Sequence, residues 1–164
     1  MKKPRLVALD AARMENDAAV QEFCRQMEVD VLARTLWGEA RGEGVAGMKA
    51  VACVVLNRFE IAEEKGRYWW GNTIIQICQK PYQFSCWNRS DPNFYKLQDV
   101  GKDDPVFVTA LRIARRAAEG LLEDITLGAT HYHAKGIEPY WARAEHMTVQ
   151  IGRHVFYRIG PRYD

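Results

Sequence analysis

The stretch Leu32–Asn57, LARTLWGEARGEGVAGMKAVACVVLN, constrains the fold of this chain more than any other. Leu32, Leu36 and Ala40, with Ala33 and Trp37, recur at the three-to-four spacing that places apolar side chains on one helix face. Gly42 and Gly44 interrupt the pattern, and a second apolar run from Val45 to Leu56 restarts it. Two core helices, about 30–40 and 44–59, are therefore expected, joined by a tight turn. Glu39 falls in the last turn of the first. The negative end of the helix dipole and burial against Leu36 or Trp37 would both disfavour its ionised form. A carboxyl group kept protonated near neutral pH is suited to general-acid catalysis. The competing expectation is a surface ion pair with Arg34 or Arg41.

A length of 164 residues fits one domain, 1–164, large enough to bury a core without covalent staples. The net charge of +2 is too small to point to nucleic acid as a partner, and Arg112, Arg115 and Arg116 read as the solvated face of a helix. A mildly positive surface suits an anionic polymer. No apolar run reaches membrane-spanning length, so stable membrane insertion is not expected. The N-terminal MKKPRLVALDAARMEND has positive charges but no apolar core and no small-residue cleavage site, so no secretory signal is recognisable. Cys24, Cys53, Cys78 and Cys86 fit no zinc-binding spacing. Cys53 reads as a buried hydrophobe, and Cys78 and Cys86, flanking a short loop, could pair in an oxidising compartment.

Along the chain, residues 10–28 carry Asp10 as a candidate N-cap and Met14, Ala18, Phe23 and Met27 at amphipathic spacing, predicting a helix packed on the Glu39 helix. Residues 63–67 read as an exposed loop, and Asn72 as the cap of a short helix over 73–77. Asp103-Asp104-Pro105 is a helix start, and the helix is expected to run to about Glu119 with Phe107, Ala110, Leu111, Ala114 and Ala118 inward. Residues 128–134 and 149–157 are β-prone and predict a small sheet or hairpin in the last third, with Pro139, Tyr140 and Trp141 in a loop between. The fold class is thus α+β and mainly helical.

The stretch 79–88, QKPYQFSCWN, has no helical period and is dense in rings and amides. Rings can lie against sugar faces while amides take the hydroxyls, which marks Gln83, Phe84, Ser85 and Trp87 as candidate carbohydrate contacts; a loop that simply covers the core is the alternative. His131 and His133 point the same way on a strand and, with His146 and His154, could hold a metal ion. No His-Glu-x-x-His motif accompanies them, and no metal or other cofactor is called for. Two-carboxylate glycosidases need a second acid. Glu43, Asp99, Asp103, Glu138 and Glu145 are available, but spacing singles out none of them. A site with one essential Glu favours an intramolecular route in which a hydroxyl of the substrate attacks the sugar, giving an anhydro product.

The segment Ala33–Arg58, with its W-G-E-A-R-G-E core and closing V-V-L-N-R, resembles the bacterial cell wall hydrolase family of the spore-cortex-lytic enzymes (SleB and CwlJ). The similarity continues through Gln83-Phe84-Ser85, Gly128-Ala129-Thr130-His131-Tyr132, Trp141-Ala142 and Ile151-Gly152-x-His154-x-Phe156-Tyr157, covering about residues 30–158. It implies a lysozyme-like domain that cuts peptidoglycan glycan strands between N-acetylmuramic acid and N-acetylglucosamine. The implied activity is that of a lytic transglycosylase, with Glu39 as catalytic acid/base. It also implies a site lined by Thr130, Tyr132, Trp141 and His154, and by the polar residue before the I-G-x-H block, here Gln150 with Thr148 close by. A compact domain without a signal looks like a phage or prophage endolysin, made in the cytoplasm and released to the wall, working as a monomer. A hydrolytic muramidase or glucosaminidase, a zinc amidase or peptidase, and a non-enzymatic wall-binding module using Tyr82, Phe84 and Trp87 are the alternatives.

Overall fold

The computed structural model describes the backbone of residues 4–161 and the side chains from residue 15. The first helix, α1, runs unbroken over Pro4–Ala40, 37 residues. Where two helices were expected there is one, because the segment from Cys24 to Arg34 contains neither Gly nor Pro to stop it. Asp10 lies within α1 rather than before it; the side chains of Asp10 and Met14 lie outside the described residues. Among the described side chains burial begins at Val29, and Phe23 and Met27 are solvent-exposed, so residues 15–27 do not pack against the Glu39 segment as expected. From Leu32 onward the expected face is buried: Leu32, Ala33, Leu36, Trp37 and Ala40 all enter the core.

Ala40 leaves helical geometry, a 3₁₀ turn over Arg41–Glu43 follows, and α2 spans Gly44–Lys65. Gly44 has φ +72°, a left-handed conformation that a side chain would strain, which is why this turn can be so short. Met48, Val51, Ala52, Val54 and Val55 form the buried face of α2. Residues 63–65, expected as loop, are its last turn; Gly66 closes it in the left-handed conformation, its amide donating to Glu63 O.

Helix α3 covers Ile74–Gln79 and is capped by Thr73, whose hydroxyl accepts from the Gln76 amide; Asn72 instead accepts from the Tyr68 amide. A 3₁₀ turn at Ser85–Trp87 and helix α4, Asn93–Asp99, occupy what sequence periodicity left unassigned. Helix α5, Pro105–Ala118, starts as expected, with Asp104 Oδ1 accepting from the amides of Val106 and Phe107. Its buried face is Phe107, Ala110, Ile113, Ala114 and Ala117, packed on α1 and α2, while Leu111 and Ala118 lie at its edge.

The C-terminal part forms an antiparallel sheet of three strands, β1 His131–Ala134, β2 Met147–Ile151 and β3 His154–Tyr157, in the order β1-β3-β2. Tyr132 pairs with Phe156, and β2 joins β3 through a turn at Gly152-Arg153. The entry to β1 is fastened to α2: Asn57 Nδ2 donates to Ala129 O and Arg58 Nε donates to Thr130 O, each at 2.8 Å. Among the described residues no helix is long and apolar enough to cross a membrane.

Candidate active site

Glu39 sits half-buried one residue before the end of α1, where two other elements converge on its carboxyl group. The Cys86 amide, from the 3₁₀ turn at Ser85–Trp87, donates to Oε1 at 3.0 Å. The Tyr132 hydroxyl, from β1, donates to Oε2 at 2.7 Å. Both oxygens are therefore fixed, and the plane of the carboxyl group is set by the fold rather than by solvent.

The approach of the 3₁₀ turn depends on Gly38. A Cβ on that residue would lie 2.7 Å from Cys86 Cβ and 2.9 Å from Cys86 Sγ, closer than atoms pack. Glycine within a helix costs roughly 0.5–1 kcal/mol relative to alanine, and here it admits the turn that supplies the Cys86 amide. Neither expected ion pair forms. Arg34 pairs with Asp30 and donates to the carbonyls of Leu97, Gln98 and Val100. Arg41 lies over the Trp37 ring and donates to Asn93 Oδ1.

Tyr132 is held by Phe156, with ring centroids 5.5 Å apart, and by His154 at 4.9 Å. Burial, then the negative charge of Glu39, raises its phenol well above the ordinary range, so the hydroxyl stays protonated and donates. His154 is itself buried, with Nδ1 lacking a protein partner. Burial depresses its imidazole, against the opposing pull of the Glu43 and Glu39 carboxylates. Glu43, on the turn after α1, accepts from the Arg153 amide at 3.0 Å.

The other expected contacts divide. Phe84 is buried against Tyr132 and beneath the Arg58 guanidinium, and so packs the site from behind instead of facing a ligand. Thr130 is fully buried, its hydroxyl donating to Ile159 O and accepting from the Ile159 amide, a structural clasp where a ligand contact was expected. Gln83 accepts from Arg58 through its side-chain oxygen, and Trp87 Nε1 donates to Thr35 Oγ1, so both rigidify the loop. Ser85 and Gln150 are exposed, and Gln150 Nε2 donates to Gly152 O. Trp141 is half-buried between His131, His133 and Tyr157.

His131 and His133 do share the Trp141 side of the sheet, but three of their four ring nitrogens are engaged with protein: His131 Nδ1 with Thr130 Oγ1, His133 Nδ1 with Ala134 O and His133 Nε2 with Tyr157 OH. Cys78 and Cys86 are buried free thiols and form no disulfide. Sequence reasoning did not find the Cys86 amide, which has no side-chain signature, nor the pairing of Glu39 with Tyr132. The glycine inside the α1 pattern at residue 38 was the available signal.

The sequence pattern of the cell wall hydrolase family matches residues 42–157, most of the chain. The chain belongs to the cell wall hydrolase family. Glu39 stands three residues ahead of the matched stretch. The fold is similar to the catalytic domain of the germination-specific lytic transglycosylase SleB from Bacillus anthracis, with TM-score 0.60 and 26% identity, covering 80% of this chain and 93% of that one. The mainly helical body with its small antiparallel sheet is thus that of a cell wall hydrolase. The spore cortex-lytic enzyme of Halalkalibacterium halodurans is 25% identical over 150 residues, which is 90% of this chain and 39% of that protein. The chain spans about two fifths of the length of that curated relative.

Proposed function

We propose that this cell wall hydrolase is a lytic transglycosylase that cuts peptidoglycan glycan strands between N-acetylmuramic acid and N-acetylglucosamine, with Glu39 as acid and then base. The observation that carries the reading is the double anchoring of the Glu39 carboxyl group by Tyr132 OH and Cys86 N. A catalytic acid must be held in one orientation for proton transfer, and two donors from separate elements supply that.

In the first half of the reaction the Glu39 carboxyl group gives its proton to the glycosidic oxygen, and the bond to the muramic acid C1 breaks. The resulting carboxylate then removes the proton of that sugar's own C6 hydroxyl, whose oxygen closes on C1 to give the 1,6-anhydro end. The Cys86 amide and the Tyr132 hydroxyl hold the carboxyl group in one orientation through both halves. No second carboxylate is required by this route.

Replacement of Glu39 by Gln tests the assignment. The variant should keep the wild-type circular dichroism spectrum and melting transition yet fail to lyse purified cell walls. A folded Gln variant with full lysis would remove Glu39 from the reaction.

A further inference from the structure

Two glycines make room for a carboxylate that the proposed reaction does not use. A Cβ on Gly47 would overlap Glu43 Cβ, and a Cβ on Gly152 would overlap Glu43 Oε2. Gly47 lies buried inside α2, where glycine is otherwise unfavourable, and Gly152 holds φ +58° at the β2–β3 turn. Between them Glu43 Oε2 accepts the Arg153 amide at 3.0 Å. The carboxylate therefore bridges the 3₁₀ turn that follows α1 and the tip of the hairpin.

We propose that Glu43 is a positioning residue, a latch that holds the sheet against the end of α1 so that Tyr132 meets Glu39. The sheet is fastened at its opposite side by Asn57 and Arg58 on the carbonyls of Ala129 and Thr130. Between that attachment and the β2–β3 turn, Phe156, Val149 and Ile151 pack the sheet against the core, and the turn itself lies at the far end of this contact. Glu43 ties down that far end through the Arg153 amide. Arg153 precedes His154, which begins β3 and lies against the Tyr132 ring, so a shift of the turn reaches the Tyr132 hydroxyl through two contacts. The Tyr132–Glu39 bond is sensitive to such a shift, because hydrogen bonds weaken steeply with distance and misalignment.

The latch requires an oxygen acceptor, not a charge. Glu43→Gln keeps an acceptor and Glu43→Ala removes it. Two readouts are expected to agree: in Glu43→Ala the Arg153 amide exchanges with solvent at least about tenfold faster while the Tyr157 amide inside the sheet does not, and kcat on soluble glycan strands falls about tenfold or more with KM nearly unchanged. Glu43→Gln should restore most of both. Gly152→Ala should reproduce the kcat loss by displacing Glu43, and adding it to Glu43→Ala should cost much less than it does in the wild type.

The kinetic arm rests on the proposed reaction, whereas exchange at Arg153 does not, so failure of Glu39→Gln to abolish lysis would overturn the reaction and leave the latch to be judged by exchange. Unchanged Arg153 exchange in Glu43→Ala overturns the latch. A Glu43→Gln variant as inactive as Glu43→Ala overturns it too, and makes Glu43 a second acid.

Discussion

The Tyr132 hydroxyl donates a 2.7 Å hydrogen bond to Glu39 Oε2, joining two residues 93 positions apart in the chain. Glu39 belongs to the helical body and Tyr132 to the sheet, so this bond, with those of Asn57, Arg58 and Glu43, registers the two halves of the domain on each other. Their separate anchors, the Cys86 amide on Oε1 and the Phe156 and His154 rings around Tyr132, give the pair one geometry.

Tyr132→Phe keeps the ring packing and deletes the donor. A hydrogen bond to a charged group is worth about 1.5–3 kcal/mol, so kcat on purified peptidoglycan should fall roughly ten- to a hundredfold, and because the bond is present in the resting fold the melting temperature should drop by several degrees as well. Steady-state turbidity clearance beside a thermal melt checks this; unimpaired lysis would show that Tyr132 does not orient Glu39.

Gly38→Ala should damage stability and activity together. The added Cβ meets Cys86 and forces the 3₁₀ turn away from α1. Overpacking of this kind costs typically about 1–3 kcal/mol, and the Cys86 amide is carried away from Glu39 with it. Urea unfolding and wall lysis should both drop; wild-type behaviour in both would mean that the turn relaxes without cost.

Much of this architecture is legible before folding. The apolar face from Leu32 to Ala40, the turn at Gly42 and Gly44, and the Asp104-Pro105 helix start are local signals, and each is realised. The β-prone stretches 128–134 and 149–157 become the sheet, with Gly152 as its turn. What sequence does not carry is which distant groups meet. Glu39 and Tyr132 are brought together only by tertiary packing, and a backbone donor such as Cys86 N leaves no residue-type signature. Phe84 looks like a ligand contact by composition and Thr130 by the family resemblance, but Phe84 packs, because an aromatic-rich loop must also cover the core, and Thr130 clasps the Ile159 backbone. Phe23 and Met27 show the converse: helical spacing specifies a face, not a partner for it.

Acid should destabilise the fold through His131. Burial, reinforced by the Arg58 guanidinium, pushes its imidazole down to about 3. The unfolded chain, with an ordinary histidine near about 6.5, takes up the proton first as pH falls. The stability contributed by neutral His131 is therefore complete above about pH 6.5 and is lost progressively towards about pH 3, on the order of 2 kcal/mol by about pH 5. Urea unfolding compared between about pH 7 and about pH 5 should show a larger loss for the wild type than for His131→Asn; equal losses would contradict the assignment.

Thiol labelling should separate the cysteines. Cys24 is exposed, whereas Cys53, Cys78 and Cys86 are buried as free thiols, with burial pushing Cys53 up to about 11 and Cys78 up to about 12. Cys86 is raised further by burial and by the Glu39 charge. A disulfide reagent should label Cys24 rapidly in the native protein and the other three only on unfolding. Rapid native labelling of Cys86 would show that the 3₁₀ turn opens away from Glu39.

The most direct measurement is mass spectrometry of the fragments released from purified peptidoglycan in heavy-oxygen water. Intramolecular attack predicts 1,6-anhydromuramic ends that carry no solvent oxygen, and no fragments from the Glu39→Gln variant. Reducing ends labelled with heavy oxygen would mean that water is the nucleophile, and the one-carboxylate account would be wrong.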